Sequence, residues 1–155
     1  MGSKRQDALE DLRDRLSQIT TDNGFASNAG ALIFVGEVPR IGPDDEPAAI
    51  CVVVGPDQPS TTGSRTICRV PIEIQAIVPA DLADPMVALE GILGDVKRAV
   101  EIEGVEAYRS RGLNGTLPVG LERASTRWLP RQEGDAFVGA GVGYVAIFDE
   151  SWGQP

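Results

Sequence analysis

A chain of 155 residues with a net charge of −9 and no His reads as one domain on length alone. It is long enough to bury ~two thirds of its unfolded surface without a metal or disulfide staple. The acid excess excludes a whole-protein grip on nucleic-acid phosphates and leaves only a local patch at Arg123, Arg127 and Arg131 to consider. The missing His removes the commonest general base and metal ligand.

The N-terminus, Met1 to Gln6, carries charge but no apolar stretch of a secretory leader, and residues 1–5 are expected to be flexible. Ala8, Leu9, Leu12, Leu16 and Ile19 then recur at helical spacing, which predicts an amphipathic helix over Asp7 to Thr20. Glu10 with Asp14, and Asp11 with Arg15, lie one turn apart and predict a solvated outer face of mixed charge. Gly24 follows Thr21-Asp22-Asn23, where a left-handed helix cap would sit.

Ala31 to Val38 is a short apolar run, followed by a polar loop at Gly42 to Pro47. Ala48 to Val54 is unbroken in apolar character and predicts a strand buried on both faces. Gly55 to Ser64 is rich in Gly, Pro, Ser and Thr and reads as a mobile loop, with mobility expected to run on to Arg69. Val70, Ile72, Ile74, Ala76 and Val78 alternate as a strand, and Pro71, lacking a donor, must face an edge or a bulge.

Asp84 is suited to cap a helix and Pro85 to open it. Leu89, Ile92, Leu93, Val96 and Val100 form the apolar stripe, while Lys97 and Arg98 complement the helix dipole. Gly91 and Gly94 cost up to ~1 kcal/mol each, and are expected to let the helix lie flat on a sheet. From 101 to 120 no period is visible. Leu121 to Leu129 reads as a strand, on which Arg123, Arg127 and Arg131, spaced by four, would share a face. Val138 to Phe148 alternates strictly, with Gly139, Gly141 and Gly143 opposite, a face that would admit another backbone or helix. Residues 149–155 read as a tail. The sum is a single α+β domain over 1–155: a mostly antiparallel sheet with two main helices packed on one face.

No set of residues supports catalysis, a cofactor or a metal. Asp84, Glu90 and Asp95 lie on or near one helix and read as a solvated face. Asp44-Asp45-Glu46 lacks the spaced donors of a calcium loop. The three glycines alternate within a strand instead of joining a strand to a helix, as a phosphate loop would. Cys51 and Cys68 have neither a His partner nor metal spacing. They read as small buried hydrophobes. A disulfide stays open if their strands pair, though without a leader reduced thiols are expected. No apolar run reaches membrane-spanning length.

The layout resembles the tail terminator (tail completion) family of long-tailed bacteriophages. The matching features begin with the helix Ala8-Leu9-Glu10-Asp11-Leu12-Arg13-Asp14-Arg15-Leu16, then Ile19 to Phe25 and Gly30. They continue with Asp45-Glu46-Pro47-Ala48 leading into a strand, and the strand-to-helix unit Val70 to Val100 with Asp84-Pro85 and Leu89 to Ala99. A late Arg, an alternating strand and Gly153-Gln154-Pro155 close the match. The resemblance implies a hexameric ring that caps the finished tail tube, stops its polymerisation and presents the joining surface to the head connector. It implies a virion protein of the head–tail junction, assembled in the host cytoplasm. Its partners would be copies of itself, the tail tube protein and the neck, with DNA passing through unbound. Arg65, Arg69, Arg123, Arg127 and Arg131 are the candidate subunit or tube contacts. The alternatives are another neck or head-closure protein, or an unrelated cytoplasmic α+β binding domain.

Overall fold

Two long strands form the spine of the fold. In the computed structural model, β4 (Arg65–Pro79) pairs with β6 (Phe137–Ser151) through fifteen consecutive antiparallel residue pairs without a slip. The structure describes residues 4–36, 48–62, 65–101, 120–130 and 133–151. The remaining elements are α1 (Lys4–Ser17), β1 (Ile33–Val35), β2 (Ala49–Val54), β3 (Gln58–Thr62), α2 (Pro85–Glu101) and β5 (Gly120–Trp128). Strand order is β1-β2-β4-β6-β5, with β3 also beside β4. Among the described strands only β1 and β2 run parallel. The class is α+β, with both helices packed on one face of a mostly antiparallel sheet.

Period-two alternation sets which residues meet the helices. Cys68, Val70, Ile72, Ile74, Ala76 and Val78 of β4 are buried, as are Ala140, Val142, Tyr144, Ala146 and Phe148 of β6. They pack with Ala8, Leu12, Leu16 and Ile19 from the first helical region and with Leu89, Ile92, Leu93, Val96 and Val100 of α2. Each apolar position of the α2 stripe is therefore core. Ala49, Ile50, Cys51 and Val52 are all buried, as the unbroken apolar run of β2 predicts, but the burial does not run on to Val54: Val53 is exposed. Asp84 caps α2 as expected, its Oδ1 accepting from the Val87 N–H at 3.2 Å.

Several expectations are corrected. The first helix starts at Lys4 and ends at Ser17, so the flexible stretch does not include residues 4 and 5. Gly24 is left-handed, at φ 84°, but it ends the single 3-10 turn Thr21–Asn23. Residues 149–151 are strand, paired in turn with Ile67, Thr66 and Arg65 of β4, and only 152–155 of the expected tail lie outside the described residues. The segment read as a mobile loop from Gly55 to Arg69 contains β3 and the start of β4, paired from Gln58↔Arg69 to Thr62↔Arg65. Thr61, Thr62 and Thr66 supply β-branched residues to that ladder. The Gly63-Ser64 dipeptide between the strands is a hairpin signal outweighed by the polar composition. The loop at 42–47, like residues 102–119, lies outside the described residues.

Pro71 shows why the alternation survives a residue without a donor. It faces the place where β4 changes partner from β3 to β2, and its carbonyl accepts from the Gly55 N–H at 2.7 Å. The register shifts by one residue there, so the missing Pro71 N–H falls at a bulge, as expected. The glycines of α2 do not bring it closer to the sheet. A Cβ at Gly91 or Gly94 would meet nothing within 4 Å.

Candidate interaction surfaces

Arg123 and Arg127 do not share a face. β5 pairs Arg123 with Tyr144 and Thr126 with Val142, a shift that places an extra residue at Ala124-Ser125. One extra residue reverses the alternation beyond it. Arg123 therefore lies on the helix side, with Nε 3.4 Å from Oε1 of Glu101 at the end of α2. Arg127 lies on the outer side, where its Nε and Nη2 donate to the two Glu73 carboxylate oxygens at 2.6 and 2.8 Å. Arg69 reaches Glu122 at 2.9 Å on the same outer face. Arg65 opens β4, but its side chain lies outside the described residues, as does Arg131. The three described arginines thus meet carboxylates of their own chain.

The outer face is built around the Glu73–Arg127 pair. Gln75 adds a third hydrogen bond, donating from Nε2 to Glu73 Oε1 at 2.6 Å. The Arg127 guanidinium holds the Glu73 carboxyl below the ordinary glutamate value; burial opposes this and the Gln75 bond supports it. Gly141 lies under this pair, and a Cβ there would come within 2.9 Å of Glu73 Cδ. At Gly139 the space is taken by Leu129, whose Cδ1 would be 2.7 Å from an added Cβ. The glycine face of β6 admits side chains of its own chain at Gly139 and Gly141 and, as expected, close backbone: an added Cβ would stand 3.0 Å from the Ala76 carbonyl oxygen at Gly139 and 3.4 Å from that of Ser125 at Gly143.

Two charged side chains contradict the solvated-face reading. Asp95 is buried on α2 and accepts from the Ala26 N–H at 3.0 Å, the Ser27 N–H at 2.9 Å and the Ser27 hydroxyl at 2.7 Å. It ties the 18–31 connection to the second helix. Arg98 reinforces the tie from above, donating to the Gly24 carbonyl at 2.7 Å and stacking 4.7 Å from the Phe25 ring centre. Arg15 is also buried, paired with Asp11 at 3.2 Å. The signal for both was phase. Asp95 follows Ile92 by three and precedes Ala99 by four, and Arg15 stands likewise between Leu12 and Ile19, so each falls within an apolar stripe.

Cys51 and Cys68 are both free and buried. Cys51 pairs opposite Gln75, seven residues along β4 from Cys68 and on the other face, which puts them roughly 20 Å apart. No disulfide spans that gap. Burial, with Glu150 close by, pushes the Cys68 thiol up to about 11.

Among the described residues no three His, Cys, Asp or Glu side chains gather where they could hold a metal ion. Among the same residues no helix is long and apolar enough to cross a membrane. The distinctive surface is at one end of the sheet, where two apolar grooves flank the first turns of α2. One, of about 390 Å³, lies between α2, Leu82 and residues 26–28. The other, of about 220 Å³, lies between Met86, Trp128 and Val138. No protein-family model matches the chain, and no curated protein matches it significantly.

Proposed function

We propose that this chain is a tail terminator subunit of a long-tailed bacteriophage, closing in six copies into a ring on the end of the tail tube. The observation that carries the reading is the succession of elements: an opening amphipathic helix, a hairpin, the β4-to-α2 unit with its Asp84 cap, and a final alternating strand. The two helices and the long strands stand in the order that the resemblance expects, the hairpin is additional to it, and Asp45-Glu46-Pro47 and Gly153-Gln154-Pro155 lie outside the described residues. The corner formed by β3 suits docking onto a tube end, because Gln58, Pro59, Ser60 and Thr61 are all exposed and no helix covers them. Net acidity suits a lumen through which DNA slides, and the internal pairing of Arg69, Arg123 and Arg127 leaves their charge engaged within the chain. The ring would use heterologous contacts whose rotation closes.

The test is mass and position. Sedimentation of the purified protein, alone and with tail tubes, should reveal a six-fold species at least on the tube. Electron microscopy should place it at the head-proximal tube end. Density on the capsid portal instead would make the chain a head-closure protein, and a monomer that ignores tubes at every concentration would end the phage-ring reading.

A further inference from the structure

The end of the molecule where α2 begins carries most of its exposed apolar bulk. Five large hydrophobic side chains are exposed among the described residues, and four of them, Met86, Val87, Trp128 and Phe137, belong to this end. Val87 is 66% and Met86 58% exposed, although both sit on a helix whose other apolar side chains are almost all inside. They form a ridge between the two grooves, Val87 lining one and Met86 the other. Gly91 opens into the larger groove with no atom within 4 Å of where its Cβ would stand. Nothing inside the chain requires a glycine there, and it weakens the helix.

Among the described residues, the turns at this end carry charge of one sign. Two turns meet here, joined by the Ala80 N–H donating to the Ala136 carbonyl at 2.9 Å. Their described residues, Ala80-Asp81-Leu82-Ala83-Asp84 and Glu133-Gly134-Asp135-Ala136, hold four carboxylates and neither Lys nor Arg. Glu90, exposed on α2, precedes Gly91 at the groove wall. An apolar surface bordered by carboxylates selects partners by both properties: apolar anchors fill the grooves, and cations of the partner meet the rim.

We infer that this end is a docking site for a polypeptide segment of another protein, one that presents apolar anchor side chains flanked by Lys or Arg. Exposed apolar ridges between grooves are where protein partners bind, and the acidic border orients the partner and speeds its arrival while screening by salt weakens it. The inference goes beyond the ring reading and does not depend on it.

The experiment titrates the full chain with two synthetic peptides of equal length and the same Leu and Phe anchors, one flanked by Lys and the other by Glu, followed by calorimetry. The Lys-flanked peptide should bind saturably, at least ~tenfold tighter than its Glu-flanked twin, and weaken as salt rises. Gly91→Leu puts a branched side chain into the larger groove from a position where the added Cβ meets nothing within 4 Å. It should abolish binding while the melting temperature does not fall. Asp81→Lys combined with Glu90→Lys should erase the preference between the peptides. Absence of saturable binding, equal binding of the twins, or binding untouched in Gly91→Leu would each overturn the inference. So would a drop in oligomer mass in Gly91→Leu without peptide competition, which would make a second copy the occupant. A ring that fails to form while the peptide still binds removes the ring reading alone.

Discussion

The two faces of the β4–β6 ladder are built from the same strands yet obey different rules. On the helix side, Ile72, Ile74, Val142 and Tyr144 are buried among α1 and α2, and their worth is the apolar area removed from water. On the outer side, one residue away along each strand, Glu73 and Arg127 meet over Gly141. That side exchanges charge for packing, and its glycines clear room for the pair. The covered face therefore fixes the fold, while the outer face tolerates change, and substitutions on the two should differ in kind.

The sharpest way to break the covered face is Leu93→Asp. Leu93 is 1% exposed. A buried unpaired carboxylate costs several kcal/mol, a large part of the stability of a small domain, so the variant should be unfolded by circular dichroism at room temperature. A cooperative melt like that of the wild type would show that the stripe is exposed. Asp95→Ala comes next. It removes the buried carboxylate to which two part-buried backbone N–H groups and one hydroxyl donate, at roughly 2–3 kcal/mol. Chemical denaturation should reveal the loss, with Asp95→Asn recovering part of it. A change within error would mean that water replaces the carboxylate without cost.

These two residues also mark how far the sequence could be read. The alternation of β4 and β6 and the stripe of α2 were legible, because a period of two or 3.6 with apolar contrast has few structural meanings. Even Pro71 was legible, since a residue without a donor must face a break in the ladder. Asp95 and Arg15 were misread because charge suggested solvent, although their phase placed them in the stripe. The β3–β4 hairpin was missed because its polar composition resembles a loop, and pairing with a long neighbouring strand overrides that composition. The face assignment of Arg127 was out of reach. A bulge at Ala124-Ser125 leaves no mark in spacing, and one residue reverses everything after it.

Gly94→Ala probes the outward side of α2. Nothing lies within 4 Å of the added methyl, and alanine favours a helix interior over glycine by up to ~1 kcal/mol. The variant should melt a few degrees higher. A lower melting temperature would show that another part of the protein or a second copy packs against this glycine.

The smallest expected effect belongs to the outer face and is read through pH. Glu73 is held below its ordinary value chiefly by the Arg127 guanidinium. A depressed carboxyl contributes stability above its unfolded value and loses it as pH falls through the folded one. Arg127 does not titrate in that range, so the change is Glu73's alone. The stability gap between the wild type and Glu73→Gln should therefore be largest near neutral pH. It should begin to narrow as pH falls below the ordinary glutamate value, about 4.3, and close once Glu73 is protonated in the folded chain. Arg127→Gln should remove most of that pH dependence, because the depression of Glu73 comes mainly from its partner. Arg127 is half exposed, and exposed pairs contribute little, so the gap should be far smaller than the loss from Leu93→Asp or Asp95→Ala. A gap that stays constant from neutral to strongly acidic pH would show that the pair holds no stability, and that the outer face keeps these charges for a contact outside the chain.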